Sequence, residues 1–144
     1  TIVMGSRGKL LGKRINRRAL RHYLGRVFAT LASIVLELPV YDTQCGAKIY
    51  KNTHFLKKVF YQPFTTRWIF DVEILARFKV IQQTQGGDLV ENSVVEYPLK
   101  EWTHFSGSKV KIGDFFVAIL DLLKIYIYLK ISSKKSDYGD QFKD

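Results

Sequence analysis

The chain has few of the residue types that build covalent or metal-held frameworks. It contains a single cysteine, Cys45, so no disulfide can form within it. Its three histidines, His22, His54 and His104, are too scattered to match the spacing of a metal site. A core of packed apolar side chains must therefore hold the fold, and 144 residues with 47% hydrophobic content are enough to build one.

The sequence also lacks a membrane-spanning run and a signal peptide. Its longest apolar stretch, residues 115–131, is interrupted by Asp121, Lys124 and Lys130, whereas a spanning helix needs about 20 clean apolar residues. The opening TIVMGS has neither the basic start nor the small-residue cleavage site of a signal peptide. We therefore expect contact with a membrane surface rather than a crossing, and, because the chain starts at Thr1, a piece of a longer protein.

Acidic residues are scarce relative to basic ones. Lys and Arg outnumber Asp and Glu by 23 to 13, a formal charge of +10, which predicts an anionic partner: nucleic acid, a phosphate-bearing ligand or a membrane. Residues 7–26 contain no acid and eight basic side chains. These are Arg7, Lys9, Lys13, Arg14, Arg17, Arg18, Arg21 and Arg26.

Part of this basic segment has the spacing of a helix. Arg14, Arg17, Arg18 and Arg21 would form one cationic face, which either binds phosphate or is simply solvated or lipid-facing. Nucleic acid is the less favoured anion, because the segment lacks a recognisable set of base-reading or stacking side chains. Arg7 is the stronger candidate for a phosphate site, since Gly-Ser-Arg directly after a strand places backbone N–H groups beside a guanidinium.

The pattern of elements predicts an α/β fold. We expect strands over 2–4, 47–50 and 93–97, and helices over 14–38, from a cap at Asn52 or Thr53 to 60, over 68–83, and from 113 or 114. Three short strands do not complete an open α/β sheet, so the missing strands are expected in an upstream half.

Three segments of different character follow from this pattern. Residues 1–112 are expected to belong to one incomplete domain, 113–131 to an amphipathic helix that packs on the core or lies on a membrane, and 132–144 to a polar, frayed tail. The polar stripe predicted for the helix is Asp114, Asp121, Lys124 and Tyr128.

The segment YDTQCGAKIY, residues 41–50, joins a polar turn to a strand. Asp42 and Gln44 are expected to be hydrogen-bonding groups at a sheet edge, and Gly46 to take a backbone conformation closed to other residues and to let a ligand or loop approach. Lys48 either reaches an anion or is a solvated strand lysine. Cys45 is interpreted as a small buried apolar residue rather than a nucleophile, because no histidine stands at a suitable position.

The segment RWIFDVEILARF, residues 67–78, predicts a helix that starts near Trp68. In that register Phe70, Ile74 and Ile81 point inward and Glu73 pairs with Arg77. Asp71 then shares a face with apolar side chains, which is costly unless its carboxylate meets a cation or a polar ligand. Asp71 is therefore a site candidate, with a helix-dipole role at the first turn as the alternative.

Six segments in this order resemble the C-terminal half of family 2 glycosyltransferases of the polyprenyl-phosphate type. They are GSR, RHYLGRVF, DTQCGAKIYK, RWIFDVEIL, EYPLKEW and SGSKVK, which together cover about residues 2–131. Within that family the segments look most like dolichyl-phosphate β-glucosyltransferases and their bacterial relatives. The resemblance implies a GT-A (Rossmann-like) fold and inverting transfer of a sugar, glucose rather than mannose, from a nucleotide sugar such as UDP-glucose to dolichyl or undecaprenyl phosphate. It also implies a membrane-associated protein at the cytoplasmic face, with no nucleic-acid partner.

The resemblance further implies roles for individual residues. Arg7, Arg21, Ser108 and Lys109 match acceptor-phosphate groups; Asp71, Glu73 and Gln44 match catalytic groups; and Asp42, Gly46, Lys48 and Trp68 match the sugar side. The family's Asp-x-Asp metal motif has no counterpart in this chain. A divalent metal, Mg or Mn, is thus expected in the full-length enzyme with its ligands elsewhere, and this chain alone is expected to be inactive.

The chemistry of such a transfer is compatible with the scarcity of histidine. A phosphate monoester has a second pKa of about 6, so it is already a dianionic nucleophile near neutrality and needs no general base. The alternative function, from a different class, is a non-catalytic basic module that binds nucleic acid or anionic lipid.

Overall fold

The computed structural model describes residues 1–8, 11–15, 19–86, 89–103 and 112–140, with the backbone alone for 19–22, 112 and 133–140. These residues form a mixed α/β fold, as the sequence predicts. In chain order the elements are β1 (Ile2–Ser6), β2 (Arg14–Ile15), α1 (Ala19–Leu36), β3 (Lys48–Tyr50), α2 (His54–Val59), α3 (Phe70–Gln85), α4 (Val90–Ser93), β4 (Val94–Pro98), β5 (Glu101–Trp102) and α5 (Ile112–Asp140).

The main sheet is built around β1. It pairs antiparallel with β3 and parallel with β4, in the order β3-β1-β4, and the register places Val3 opposite both Ile49 and Val95. A separate parallel pair joins β2 to β5. Near the end of β1, a Cβ on Gly5 would lie 3.1 Å from the Cys45 sulfur, so a glycine is needed for the 41–47 segment to approach the strand this closely.

The two faces of the main sheet differ in burial. Ile2 and Met4 of β1 are almost fully buried in a core shared with α1, α3 and α5. That core includes Ala32 and Leu36 of α1, Val72, Ile74 and Leu75 of α3, and Leu122 and Ile125 of α5. The opposite face carries Ile49, Val95 and Tyr97, which are exposed in this chain. The described residues therefore cover only one side of the sheet.

The predicted start of the first long helix is wrong. Arg14 and Ile15 form β2, in which the Arg14 N–H donates to the Lys100 carbonyl at 3.0 Å, and the helix begins at Ala19. Pairing with β5 satisfies backbone hydrogen-bonding groups of residues 14–15, so these residues form a strand although their side chains have helical spacing. Arg14 therefore does not share a helical face with Arg21, whose side chain is not described, and Arg17 and Arg18 lie outside the described residues.

Most of the other local predictions are confirmed, and one is wrong. Thr53 caps α2 by accepting a hydrogen bond from the Leu56 N–H at 3.2 Å, and the Glu73–Arg77 pair forms. Ile74 is buried as expected, but Phe70 is 42% exposed because α3 starts there and its ring packs against Phe64 in the preceding loop. The inward orientation predicted for Phe70 is thus wrong.

The last helix is longer than its apolar pattern predicts, since α5 continues to Asp140 rather than ending near residue 131. Its inner side packs Ala118, Leu122 and Ile125 into the core, and Asp121 lies on that buried side, where it pairs with Lys124 at 2.7 Å. None of the helices in the described part of the chain combines the length and apolarity that crossing a bilayer requires.

Candidate functional site

The candidate site lies where β1 ends and meets residues 41–47, which we call the 41–47 turn. The Gly5 N–H donates to the Ala47 carbonyl at 2.7 Å, and on the other side of β1 the Leu99 N–H donates to the Ser6 carbonyl at 2.9 Å. These bonds hold the strand end between the turn and β4. Arg7, the next residue, therefore emerges directly at the turn.

Arg7 and Asp42 form a bidentate ion pair. The Arg7 Nε and Nη2 atoms donate to the two Asp42 carboxylate oxygens at 2.7 and 2.8 Å, and the Arg7 backbone N–H donates to one of them at 3.1 Å. Both side chains are nearly buried, at 12% and 10% exposure, and the guanidinium carbon lies 5.2 Å from the centroid of the Trp102 ring. The guanidinium is thus oriented by a carboxylate and a ring, while its Nη1 edge is not part of the Asp42 pair.

The surroundings keep Arg7 charged. Burial alone would lower the pKa of Arg7, but the hydrogen bond and the charge of Asp42 outweigh burial and raise it above its ordinary value, with a smaller contribution from Asp71. Arg7 and Asp71 meet at the same turn, since Arg7 binds Asp42 of the turn, and Lys48, the partner of Asp71, donates to the Cys45 carbonyl. We call these two ion pairs the cluster.

Asp71 forms the second ion pair of the cluster. Its carboxylate lies 3.1 Å from the Lys48 ammonium, which also donates to the Cys45 carbonyl, and the two side chains are only 13% and 5% exposed. The solvated alternative for Lys48 is therefore wrong, and the cation that Asp71 was expected to need is present. Two residues further along β3, burial raises the pKa of Tyr50 to about 12, with an added contribution from the negative charge of Asp71.

The 41–47 turn contains hydrogen-bonding groups without partners in the described part of the chain. They are the Gln44 side-chain nitrogen and the Thr43 hydroxyl, both buried. Buried polar atoms are rarely left unpaired, so these two groups stand out in the turn. Gly46 does not have the positive φ that was predicted for it, but an added Cβ would meet nothing within 4 Å, so the space above Gly46 is open.

Glu73 lies in different surroundings from Asp71. Its carboxylate accepts the Thr65 and Thr66 N–H groups at 3.1 and 2.9 Å, the Thr66 hydroxyl at 2.8 Å and Arg77 at 2.6 Å. Burial would raise the pKa of Glu73, but these hydrogen bonds outweigh it and lower the pKa. Arg77 in turn donates to the Val59, Gln62 and Pro63 carbonyls, so Glu73 and Arg77 together hold the loop before α3.

The structure does not place the remaining predicted site residues in this cluster. Trp68 is 41% exposed and lies against Arg67, whose guanidinium carbon is 5.9 Å from the ring centroid. The side chain of Arg21, and both Ser108 and Lys109, lie outside what the structure describes. Their predicted contacts with the acceptor phosphate stay predictions.

Sequence reasoning missed two residues that hold the 41–47 turn. Glu96 of β4 accepts the Tyr41 and Asp42 N–H groups at 2.7 and 2.8 Å. Arg26 of α1 donates to the Tyr41 carbonyl at 3.2 Å, and its guanidinium carbon lies 3.7 Å from the centroid of the Tyr41 ring. Glu96 is more than 50 positions from its partners, so no local pattern pointed to it.

The carboxylates of the cluster are committed to cations rather than arranged for a metal ion. Asp42 is held by Arg7, and Asp71 by Lys48. Among the described residues, no three His, Cys, Asp or Glu side chains group as metal ligands would. The cluster thus brings two nearly buried cations, each paired with a carboxylate, to the turn that carries the Gln44 amide nitrogen, which has no partner among the described residues.

Comparison with known proteins supports the resemblance described above. The chain is 35% identical over 130 residues to a dolichyl-phosphate beta-glucosyltransferase of Trichomonas vaginalis, covering 90% of this chain and 35% of that protein. A second such protein of Trichomonas vaginalis is 32% identical over 134 residues, and the Saccharomyces cerevisiae one 34% over 116 residues, covering 93% and 78% of this chain and 38% and 31% of those proteins.

The matching region is a limited part of these relatives. The chain spans roughly a third of the length of the curated relatives it matches. No protein-family model matches it, and no solved structure does. The resemblance carried by the sequence segments is nevertheless confirmed: over about nine tenths of its length, this chain is homologous to dolichyl-phosphate beta-glucosyltransferases.

Proposed function

We propose that this chain forms the acceptor side of a GT-A glycosyltransferase, which transfers glucose with inversion from a nucleotide sugar, UDP-glucose, to a polyprenyl phosphate. The observation that carries the proposal is the cluster of Arg7 and Lys48 at the 41–47 turn, with the unpaired Gln44 amide beside it. The relatives are dolichyl-phosphate beta-glucosyltransferases by name, which supports the same substrate class.

The cluster suits a phosphate headgroup that must be held without losing its nucleophilicity. The Nη1 edge of Arg7 and the Gln44 side-chain nitrogen would donate to phosphate oxygens, while Lys48 adds a second positive charge. Arg21, Ser108 and Lys109, whose side chains the structure does not describe, would complete the headgroup contacts.

The reaction needs no proton acceptor from this chain. An oxygen of the dianionic acceptor forms a bond to the anomeric carbon of glucose, and the bond from that carbon to the nucleotide diphosphate breaks with its electron pair on the diphosphate. Attack from the face opposite the leaving group inverts the configuration. Asp71, paired with Lys48, would accept hydrogen bonds from hydroxyls of the transferred sugar, and Gly46 would leave room for the sugar.

Glu73 and Trp68 would act beside this centre. Glu73 keeps the loop before α3 in place through Thr65 and Thr66, and Trp68, exposed at the start of α3, offers a ring to the sugar. A divalent metal, Mg or Mn, would supply charge for the departing diphosphate. Since Asp42 and Asp71 are already paired with cations, they do not fit as its ligands, and we propose that these lie elsewhere in the full-length protein.

Exposed apolar stripes on two neighbouring helices support association with a membrane surface. α1 and α5 pack against each other in the described structure. The outer stripe of α1 consists of Tyr23, Val27, Leu31 and Ile34, and that of α5 of Phe116, Leu120, Leu123, Ile127 and Ile131. Spacings of three and four residues put each set on one side of its helix, with Lys124 and Lys130 at hand for anionic lipid. Because α5 also contributes to the core, its interfacial and packing roles coexist, and we place this surface at the cytoplasmic face.

The uncovered face of the main sheet supports a further part of the domain. Ile49, Val95 and Tyr97 are exposed together, although sheets of α/β proteins are normally covered on both faces. We propose that the nucleotide-binding half of the full-length protein covers this face. A helical ridge for nucleic acid is not favoured, since Arg14 lies in a strand.

Titration calorimetry tests the proposed function on the chain itself, with farnesyl phosphate as a soluble prenyl phosphate. We expect binding of farnesyl phosphate and none of farnesol, because the headgroup carries the affinity. Arg7→Ala should weaken binding about tenfold or more, as the loss of a charge-assisted contact does, while Lys57→Ala, at an exposed lysine of α2, serves as control.

The same measurement separates the two function classes. Binding of duplex DNA that exceeds farnesyl phosphate binding, and that falls steeply with salt, would support the basic-module alternative instead. Equal affinity for farnesol and farnesyl phosphate would contradict the headgroup site.

A further inference from the structure

Glu96 is a half-buried acid to which the proposed chemistry assigns no role. It stands in β4, where the parallel register places it opposite Met4 of β1. Its two carboxylate oxygens accept from consecutive backbone N–H groups, Oε2 from Tyr41 at 2.7 Å and Oε1 from Asp42 at 2.8 Å. A single side chain thereby orients two successive peptides at the start of the 41–47 turn.

The second of those peptides belongs to the residue that holds Arg7. The Asp42 carboxylate accepts Nε, Nη2 and the backbone N–H of Arg7. A rotation of the Asp42 backbone would carry its carboxylate away from the guanidinium. The direction in which Arg7 points is therefore coupled to Glu96 through one residue.

The arrangement places two carboxylates close together, at a cost that cations offset. Arg7 balances Asp42, and Arg26 lies on the Tyr41 ring and carbonyl on the other side of the same peptide. An apolar residue could pack at position 96, but it would not accept the Tyr41 and Asp42 N–H groups. The carboxylate thus orients the two peptide groups through hydrogen bonds, in addition to filling space.

We propose that Glu96 is a positioning residue for the acceptor phosphate: by clamping the Tyr41 and Asp42 N–H groups, it presents the Arg7 guanidinium to the headgroup without touching the ligand. The inference rests on the proposed function of the Arg7 cluster. Glu96, on β4, would then influence the affinity for the acceptor although it does not contact the acceptor.

A double-mutant cycle on the full chain tests this coupling, with farnesyl phosphate as the probe and calorimetry as the measurement. Glu96→Gln keeps the shape but offers only one acceptor oxygen, so we expect about tenfold weaker binding, the size of one lost charge-assisted bond. Glu91→Gln, at an exposed acid of α4, is the matched control and should bind as the wild type does. In an Arg7→Gln background, Glu96→Gln should cause less than about a twofold further loss.

A ligand-free readout keeps the test meaningful if Glu96→Gln lowers overall stability. In nitrogen-15 NMR spectra, the Arg7 Nε–H should exchange slowly with water in the wild type and in Glu91→Gln, and at least about tenfold faster in Glu96→Gln, provided circular dichroism shows both variants folded. A slow Arg7 Nε–H in folded Glu96→Gln would overturn the inference.

The remaining outcomes distinguish the two proposals. Wild-type affinity in Glu96→Gln, or equal losses with and without Arg7, overturns the role of Glu96 while leaving the headgroup site in place. A wild-type chain that does not bind farnesyl phosphate overturns the proposed function, and the positioning role with it.

Discussion

At the scale of single residues, the site is a set of charges whose partners decide their roles. Asp71 and Glu73 are two positions apart on α3, yet Asp71 pairs with Lys48 in the cluster while Glu73 accepts hydrogen bonds from the loop before the helix. The same residue chemistry therefore leads to different expectations. Asp71 would contact the substrate, and Glu73 would support the loop behind it.

Substituting the two acids should separate those roles. In the full-length protein, Asp71→Asn is expected to lower kcat about a hundredfold, because the group proposed to hold the transferred sugar loses its charge, whereas Glu73→Gln should lower it about tenfold or less. Transfer of radiolabelled glucose to dolichyl phosphate measures both. A larger loss in Glu73→Gln than in Asp71→Asn would show that the catalytic role belongs to Glu73 and not to Asp71.

Glu73 also predicts a pH dependence of stability. Its folded-state pKa is lowered from 4.5, so the stability it contributes is fully present above that value and is lost as the pH falls through the folded pKa. Urea unfolding at pH 7 should show Glu73→Gln about 2 kcal/mol less stable than the wild type, because buried N–H donors lose a charged acceptor.

The acid arm of the same experiment supplies the sign check. The difference between Glu73→Gln and the wild type should shrink as the pH falls from 4.5 through the lowered folded-state pKa, below which the carboxylate is protonated in both states. Glu91→Gln, exposed on α4, is the control. A difference that stays constant from pH 7 to pH 3 would show that shape rather than charge is responsible.

At the scale of elements, α5 serves two environments at once. Its inner side fills the core with Ala118, Leu122 and Ile125, and its outer side exposes Leu120 and Leu123. Removal of the whole helix would therefore expose the core as well as the proposed membrane surface. Substitutions confined to the outer side are the informative ones.

The double variant Leu120→Glu/Leu123→Glu should lose membrane binding without unfolding. Both side chains are exposed, so stability should change by less than about 1 kcal/mol, while two charges in an interfacial apolar stripe should reduce binding to vesicles of phosphatidylcholine and phosphatidylglycerol about tenfold or more. Vesicle sedimentation measures binding, and Leu89→Glu, exposed before α4, is the control. If the double variant sediments with vesicles as the wild type does, the outer side of α5 does not contact the membrane.

At the scale of the whole molecule, the described residues build a core on one side of the sheet and leave an apolar surface on the other. Tyr97 and Val95 on β4 and Ile49 on β3 form that surface. The relatives extend well beyond the matched region, which occupies roughly a third of their length. The half that we propose to cover the sheet would correspond to part of that additional length.

Charges placed on the sheet surface should test that arrangement. In the chain alone, Ile49→Lys/Val95→Lys should change stability by less than about 1 kcal/mol because both positions are exposed. In the full-length protein, the same pair should destabilise strongly, since two ammonium groups would be buried. Thermal unfolding of both forms is the measurement, and Tyr61→Lys, exposed after α2, is the control. Equal effects in both forms would show that the surface stays in water.

Local chemistry made part of this protein predictable from its sequence. Val3 and Met4 lie in a short apolar run that folds as β1, Thr53 caps α2, and Glu73 meets Arg77 one helical turn away. Each depends on neighbours within a few positions, where spacing alone determines which side chains meet. The homology was predictable for the same reason, because it is carried by short contiguous segments.

The tertiary structure alone decided the partners of the site residues. Asp42 is 35 positions from Arg7 and 54 from Glu96, and Arg14 left its helical pattern to pair with a strand almost 90 residues later. Such pairs form only after the order of strands in the sheet and the closure of long loops bring the partners together, and no local period encodes that order. The sequence by itself determined which charges were available, and the fold decided which of them became a site.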